Sequence, residues 1–188
     1  MWQFYADTLF TLYENPVIRP KIRVRLYEVC DRAFKVGKLT EQQVVNWVEL
    51  LEGDALSGYP LKSTLEESVQ QFPKSSRLWV KLLKTSLEGK EEAPLFCIDT
   101  GNNDEPMAED ATLTKEIPLS FWQGVKSLGN TADSIPLWQV ALDHFSSISD
   151  GNDTVKELYS KALATEPPVC NHFKPRFLNW IANQKGPL

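Results

Sequence analysis

Cysteine and histidine are scarce, and their spacing matches no metal-site or redox motif. The chain of 188 residues holds three cysteines (Cys30, Cys97, Cys170) and two histidines (His144, His172). Three thiols cannot all pair and no Cys-x-x-Cys spacing occurs, which points to free thiols in a reducing compartment. Cys170-Asn171-His172 has no second ligand pair at zinc-site spacing. Glycine is sparse too, and Asp99-Thr100-Gly101-Asn102-Asn103 lacks the strand, the second glycine and the lysine of a phosphate-cradling loop. No apolar run reaches the length of a membrane span, and no early run has the basic flank of a signal peptide. Asn152-Asp153-Thr154 therefore matches a glycosylation acceptor only incidentally. The expectation is a soluble intracellular protein with no metal, no cofactor and no catalytic cluster, hence not an enzyme.

Basic charge is also in deficit. Twenty Lys and Arg face 25 Asp and Glu, a net charge of −5, whereas a general nucleic-acid binder is normally basic. The acidity is local. Residues 89–116 carry eight carboxylates (Glu91, Glu92, Asp99, Asp104, Glu105, Glu109, Asp110, Glu116) against Lys90 and Lys115, which leaves 17 acids and 18 bases elsewhere. The carboxylates cluster where nothing raises a pKa for acid catalysis. Gly101 to Pro106 lies in the same weakly periodic stretch, so 89–115 reads as a mobile acidic insertion. It is either a solvated linker or a dock for a basic protein.

Tryptophan is abundant, with six residues. Trp2 to Tyr5, Leu78 to Leu83 and Leu137 to Leu142 each place bulky apolar residues three or four positions after a Trp, and Phe177 to Ile181 is a variant. Such spacing puts the bulk on one helix face. Further stripes follow the same period: Ile22, Leu26, Val29, Cys30, Ala33; Val44, Trp47, Val48, Leu51; Leu65, Val69, Phe72; Phe121, Trp122, Val125, Leu128; Val155, Leu158, Tyr159, Ala162, Leu163. Thr40 ahead of Gln43 predicts a capping box, and Ser63 ahead of Glu66 a second start. Breaks fall at Pro16 and Pro20, Gly53 to Pro60, Pro73, Gly129 to Pro136, Asp150 to Asn152, and Pro167-Pro168. About nine helices are predicted, joined by short connections, with no period-two alternation to support strands. An aromatic ridge repeated between helices is the signature of stacked helical pairs.

Gln71-Phe72-Pro73-Lys74-Ser75-Ser76-Arg77-Leu78-Trp79 resembles the junction between half-a-TPR (HAT) repeats, where one helix ends at a proline and the next opens on Leu-Trp. Val155 to Leu163, and Arg25-Leu26-Tyr27 through Asp31-Arg32-Ala33, look like the second helix of that repeat. The Trp2-x-x-Tyr5 opening, Ile135-Pro136-Leu137-Trp138 and the stretch from Phe173 to Trp180 make the segment order most similar to the C-terminal part of the U3 small nucleolar RNA-associated protein 6 family. This resemblance implies an all-α superhelical array of antiparallel HAT/TPR-like helix pairs, an α-solenoid. It spans 1–88 and 116–188 around the 89–115 insertion. It further implies a non-catalytic scaffold in the nucleolar small-subunit processome (U3 snoRNP), supporting pre-18S ribosomal RNA processing. Its partners would be other protein subunits of a ribonucleoprotein assembly, with RNA contact indirect and neither membrane nor small-molecule substrate involved. The alternatives are a HAT scaffold of splicing or mRNA 3′-end processing, or a helical repeat module that binds RNA directly. Family members are longer, and the spacing from Trp2 to Trp47, Trp79 and Trp138 is irregular, so the chain reads as a fragment with insertions.

Two sets of residues compete for a binding role. The tryptophans are expected in the core, because a stacking platform needs exposed rings beside a basic groove. The cluster Arg19, Lys21, Arg23, Arg25 falls near a predicted helix start, where the macrodipole disfavours cations. It is a candidate partner-binding patch for phosphates or an acidic protein. The alternative is a solvated face whose arginine stems cover apolar surface.

Overall fold

The helical stripes become helices. The computed structural model describes residues 1–54, 58–88, 117–148 and 151–184. The expected insertion over 89–115, with Cys97, lies outside the described residues. Among these residues the fold is all-α with no strand. The helices are α1 (Trp2–Tyr13), α2 (Arg19–Lys35), α3 (Glu41–Glu52), α4 (Leu61–Gln71), α5 (Ser76–Leu87), α6 (Leu119–Leu128), α7 (Ile135–Ser147), α8 (Asn152–Leu163) and α9 (Val169–Gln184), with a 3-10 turn at Ala132–Ser134.

Local chemistry sets several of the helix starts. Thr40 accepts from the Gln43 backbone N–H at 3.3 Å, and the Gln43 side chain accepts from the Thr40 N–H at 2.9 Å, which completes the predicted capping box. The second expected start is displaced. Helix α4 begins at Leu61 behind Pro60, and Ser63 Oγ donates to the Pro60 carbonyl instead of capping. Pro20 and Pro136 lie inside the first turns of α2 and α7, not between helices. A missing N–H costs nothing in a first turn, where that donor has no helical partner.

Contacts divide the chain into two compact units, Met1–Leu78 and Trp79–Leu188, with α5 running across the boundary. In the first unit α1 packs on α2 and α3, and α3 on α4. Trp47, buried in α3, meets the Tyr27 ring edge-on at 5.1 Å and the Tyr59 ring at 5.4 Å. Leu9, Leu26, Val29, Cys30 and Leu51 complete that core. Gln43 adds a polar tie, since its Nε2 donates to the Gln3 carbonyl at 2.9 Å and to Asp7 Oδ1 at 2.6 Å. One buried side chain thus caps α3 and joins it to α1.

In the second unit α7 packs between α6 and α8, and α8 on α9. Trp138 is buried against Phe121, with ring centroids 4.9 Å apart, and the Trp122 ring stands 6.1 Å away. Gly124 brings α6 close to its neighbours, because a Cβ there would lie 2.7 Å from Leu137 Cδ2 and 3.2 Å from the Trp79 ring. The Tyr159 ring contacts Phe177 at 5.3 Å and Trp180 at 5.7 Å, while Arg176 pairs with Asp143. Such aromatic contacts contribute about 0.5–1.5 kcal/mol each beyond the area they bury.

The expectation that the tryptophans are core residues needs correcting. Trp47, Trp79 and Trp138 are buried. Trp122 is half-buried beneath the Lys161 ammonium, 4.3 Å from its ring, and Trp180 is half-buried against Phe177. Trp2 is exposed. Periodicity fixes which residues share a helix face; whether another element covers that face is a separate, tertiary matter.

Candidate interaction surface

Helix α1 turns Ala6 and Leu9 inward and leaves apolar bulk outside. Phe4 is 79% exposed, Trp2 39% and Tyr5 37%. Beside them runs α2, where Val29 and the side chains of Arg25, Glu28 and Arg32 complete a groove of about 530 Å³ with Met1, Trp2, Phe4 and Tyr5. Scattered exposed apolar residues are ordinary, but neighbouring aromatics that line one concavity make a candidate contact surface.

The four cations picked out in the sequence do not form one patch. They lie in α2 from its first residue, with no acidic side chain in the first turn. Their two-residue spacing advances about 200° around the helix at each step. Arg19 and Arg23 therefore share one side, and Lys21 and Arg25 face nearly the opposite way. Arg19 Nε donates to the Tyr13 carbonyl at 3.0 Å, and its guanidinium lies 5.1 Å from the Tyr13 ring centroid. Arg23 pairs with Asp54, which also accepts from the Tyr27 hydroxyl at 2.9 Å. This side of α2 closes on its own unit. On the other side, Arg25 donates to the Tyr5 hydroxyl at 3.2 Å and approaches Glu28 at 3.5 Å. The Tyr5 hydroxyl, and secondarily Glu28, hold the Arg25 guanidinium above its ordinary pKa. An arginine is cationic at any physiological pH, so the effect of these contacts is to fix the side chain over the aromatic wall.

Sequence spacing missed Arg32, which lies on the groove, and the exposed wall formed by Trp2, Phe4 and Tyr5. The signal for Arg32 was present as Lys21, Arg25, Glu28 and Arg32, an i, i+4, i+7, i+11 stripe. Lys21 and Arg32 are exposed, and their side chains make no hydrogen bond or ion pair among the described residues. The lining groups offer apolar area, an aromatic hydroxyl and guanidinium donors.

Cys30 and Cys170 are free thiols. Burial pushes the Cys30 thiol up to about 12, which keeps it protonated and poorly nucleophilic at neutral pH. His172 Nε2 meets the Gln139 side-chain nitrogen at 2.9 Å, and the His144 ring packs edge-on against Phe145. Among the described residues, no three His, Cys, Asp or Glu side chains converge on a common point that would hold a metal ion. None of the described helices is long and apolar enough to cross a membrane.

No family model, curated protein or solved structure matches this chain. Any assignment of function therefore rests on its own residues and on the repeat-like phrases of its sequence.

Proposed function

We propose that this chain is a non-catalytic protein-interaction scaffold, an array of antiparallel HAT-type helix pairs forming an α-solenoid. In this reading it is akin to the C-terminal part of U3 small nucleolar RNA-associated protein 6. It would act in the nucleolus, within the small-subunit processome, by holding neighbouring protein subunits during pre-18S ribosomal RNA processing. The observation that carries the scaffold reading is the pairing of buried tryptophans with an open aromatic groove. Trp47 and Trp138 each anchor helices packed on their sequence neighbours, while α1 and α2 keep an apolar surface uncovered. Interior aromatics hold the shape, and exterior aromatics beside arginines have the composition of binding hot spots. The processome is proposed on the resemblance of the sequence phrases alone.

The test is purification of the tagged chain from cell extract, with proteins and RNA identified together. Recovery of U3 small nucleolar RNA with processome subunits is the expected result. Spliceosomal RNA or the mRNA 3′-end machinery in its place would move the scaffold to another particle. Recovery of the chain without a stoichiometric protein partner would overturn the scaffold reading.

A further inference from the structure

Helix α2 presents two unlike faces. One commits its cations to its own unit: Arg19 to the Tyr13 carbonyl and ring, Arg23 to Asp54. The other carries Lys21, Arg25, Glu28 and Arg32 in line; Arg25, Glu28 and Arg32 line the groove with the aromatic residues of α1, and Lys21 lies one helical turn beyond Arg25. Arg25 is occupied by Tyr5 and Glu28, which leaves Lys21 and Arg32 as exposed cations at the two ends of the stripe. They lie 11 residues apart, about 16 Å along the axis at 1.5 Å per residue. Trp2, Phe4, Tyr5 and Val29 line the groove from the Arg25 turn to Arg32. Two helices bound the groove and no strand edge borders it among the described residues, so its natural complement is a third helix seated in the trough.

We infer that the α1–α2 groove docks an amphipathic helix of a protein partner, with an apolar ridge about three turns long and an acidic residue near each end. The ridge fills the space between Trp2, Phe4 and Val29, and the terminal carboxylates pair with Lys21 and Arg32. The proposal rests on the scaffold reading and adds to it the site and the partner chemistry. Charge selects this occupant over two others. A single-stranded RNA would stack on the exposed rings, but its phosphates would run past the Glu28 carboxylate and approach a chain of net charge −5. A second copy packed groove to groove would bring the same cations face to face, and like charges across an interface disfavour that arrangement.

The probe is a synthetic 18-residue helical peptide with leucines at i, i+4, i+7 and i+11 and glutamates toward both ends. A peptide with lysines replacing those glutamates, and an oligouridine of 12 nucleotides, serve as the other arms. The full chain is titrated with each, and its mass in solution is followed by sedimentation. The acidic peptide is expected to bind saturably, to weaken at least tenfold in the Lys21→Glu/Arg32→Glu double variant, and to weaken similarly in Phe4→Ser. Both variants alter exposed side chains, and far-ultraviolet circular dichroism verifies that they remain helical. Lys126→Glu/Lys156→Glu, in the other unit, should leave binding unchanged. Equal binding of the lysine peptide, full binding by the double variant, displacement by oligouridine, or a dimer that Phe4→Ser dissolves would each overturn the inference. Failure of the peptide while the tagged chain still recovers U3 RNA removes the groove assignment alone. Peptide binding without U3 RNA removes the processome and keeps the groove.

Discussion

Gly151 is a residue whose value lies in its missing side chain. Its φ of −76° is available to any amino acid, so backbone freedom is not the reason for glycine here. Space is the reason: a Cβ at this position would stand 1.9 Å from the Phe145 carbonyl oxygen and 3.0 Å from the carbon. Backbone atoms cannot rotate aside as a side-chain tip does. Gly151→Ala is therefore expected to destabilise the chain by about 1–3 kcal/mol or more, read as a lower urea midpoint with an unchanged slope. Gly124→Ala should cost less, because alanine regains about 1 kcal/mol of helix propensity and the first atom met is the tip of Leu137. The sequence marked Asp150 to Asn152 as a break but not this crowding, which arises only when α7 and α8 are packed. The same limit explains the tryptophans. Spacing placed Trp47, Trp79 and Trp138 on core stripes correctly, and gave Trp2 the same stripe although no described element covers it fully.

At the scale of helices, boundaries were legible where side chain and backbone cooperate and illegible where a side chain had a second use. The Thr40–Gln43 capping box was readable from spacing. The link from Gln43 to Asp7 was not, because it joins residues 36 apart in the chain. That link makes a distinctive prediction. Gln43 is 3% exposed, and Gln43→Glu would place a carboxylate against the Asp7 carboxylate. Burial and the like charge raise the folded pKa of the introduced group above its unfolded value. Its penalty is thus absent at low pH and grows as pH rises past the unfolded value, to about 3 kcal/mol at pH 7 for a two-unit shift. Gln43→Ala should instead cost about 1–2 kcal/mol through the lost cap and hydrogen bonds, with little pH dependence. Urea unfolding of the two variants at pH 7 and pH 4.5 checks this. The glutamate variant should be the weaker at pH 7, and the gap should close on acidification. A gap that stays constant would mean the introduced carboxylate escapes to water. Helix geometry likewise explains why the basic cluster divided: residues two apart cannot share a helical face, so a run that looked like one patch became two.

Across the whole molecule, charge sets which polyanions are admitted. The net charge of −5 comes from the acids of 89–116, since the remaining residues hold 17 acids and 18 bases. A short acidic helix senses mainly the groove it occupies, within a Debye length of about 8 Å at physiological salt. A long RNA senses the sum, above all at low ionic strength, where screening reaches about 30 Å at 0.01 M. Replacing the eight carboxylates of 89–116 by the matching amides leaves 17 acids against 20 bases and turns the net charge from −5 to +3. That variant should bind a 16-nucleotide single-stranded RNA about tenfold more tightly than the natural chain at 0.02 M salt. The advantage should vanish near 0.3 M, as expected when long-range potential rather than specific contact is responsible. Affinity for the acidic peptide at 0.15 M should change far less, because its contacts are local. Submicromolar RNA binding by the natural chain, unaffected by the amide substitutions, would mean that phosphates are read by the groove itself. The electrostatic basis for seating an acidic helix there would then be lost.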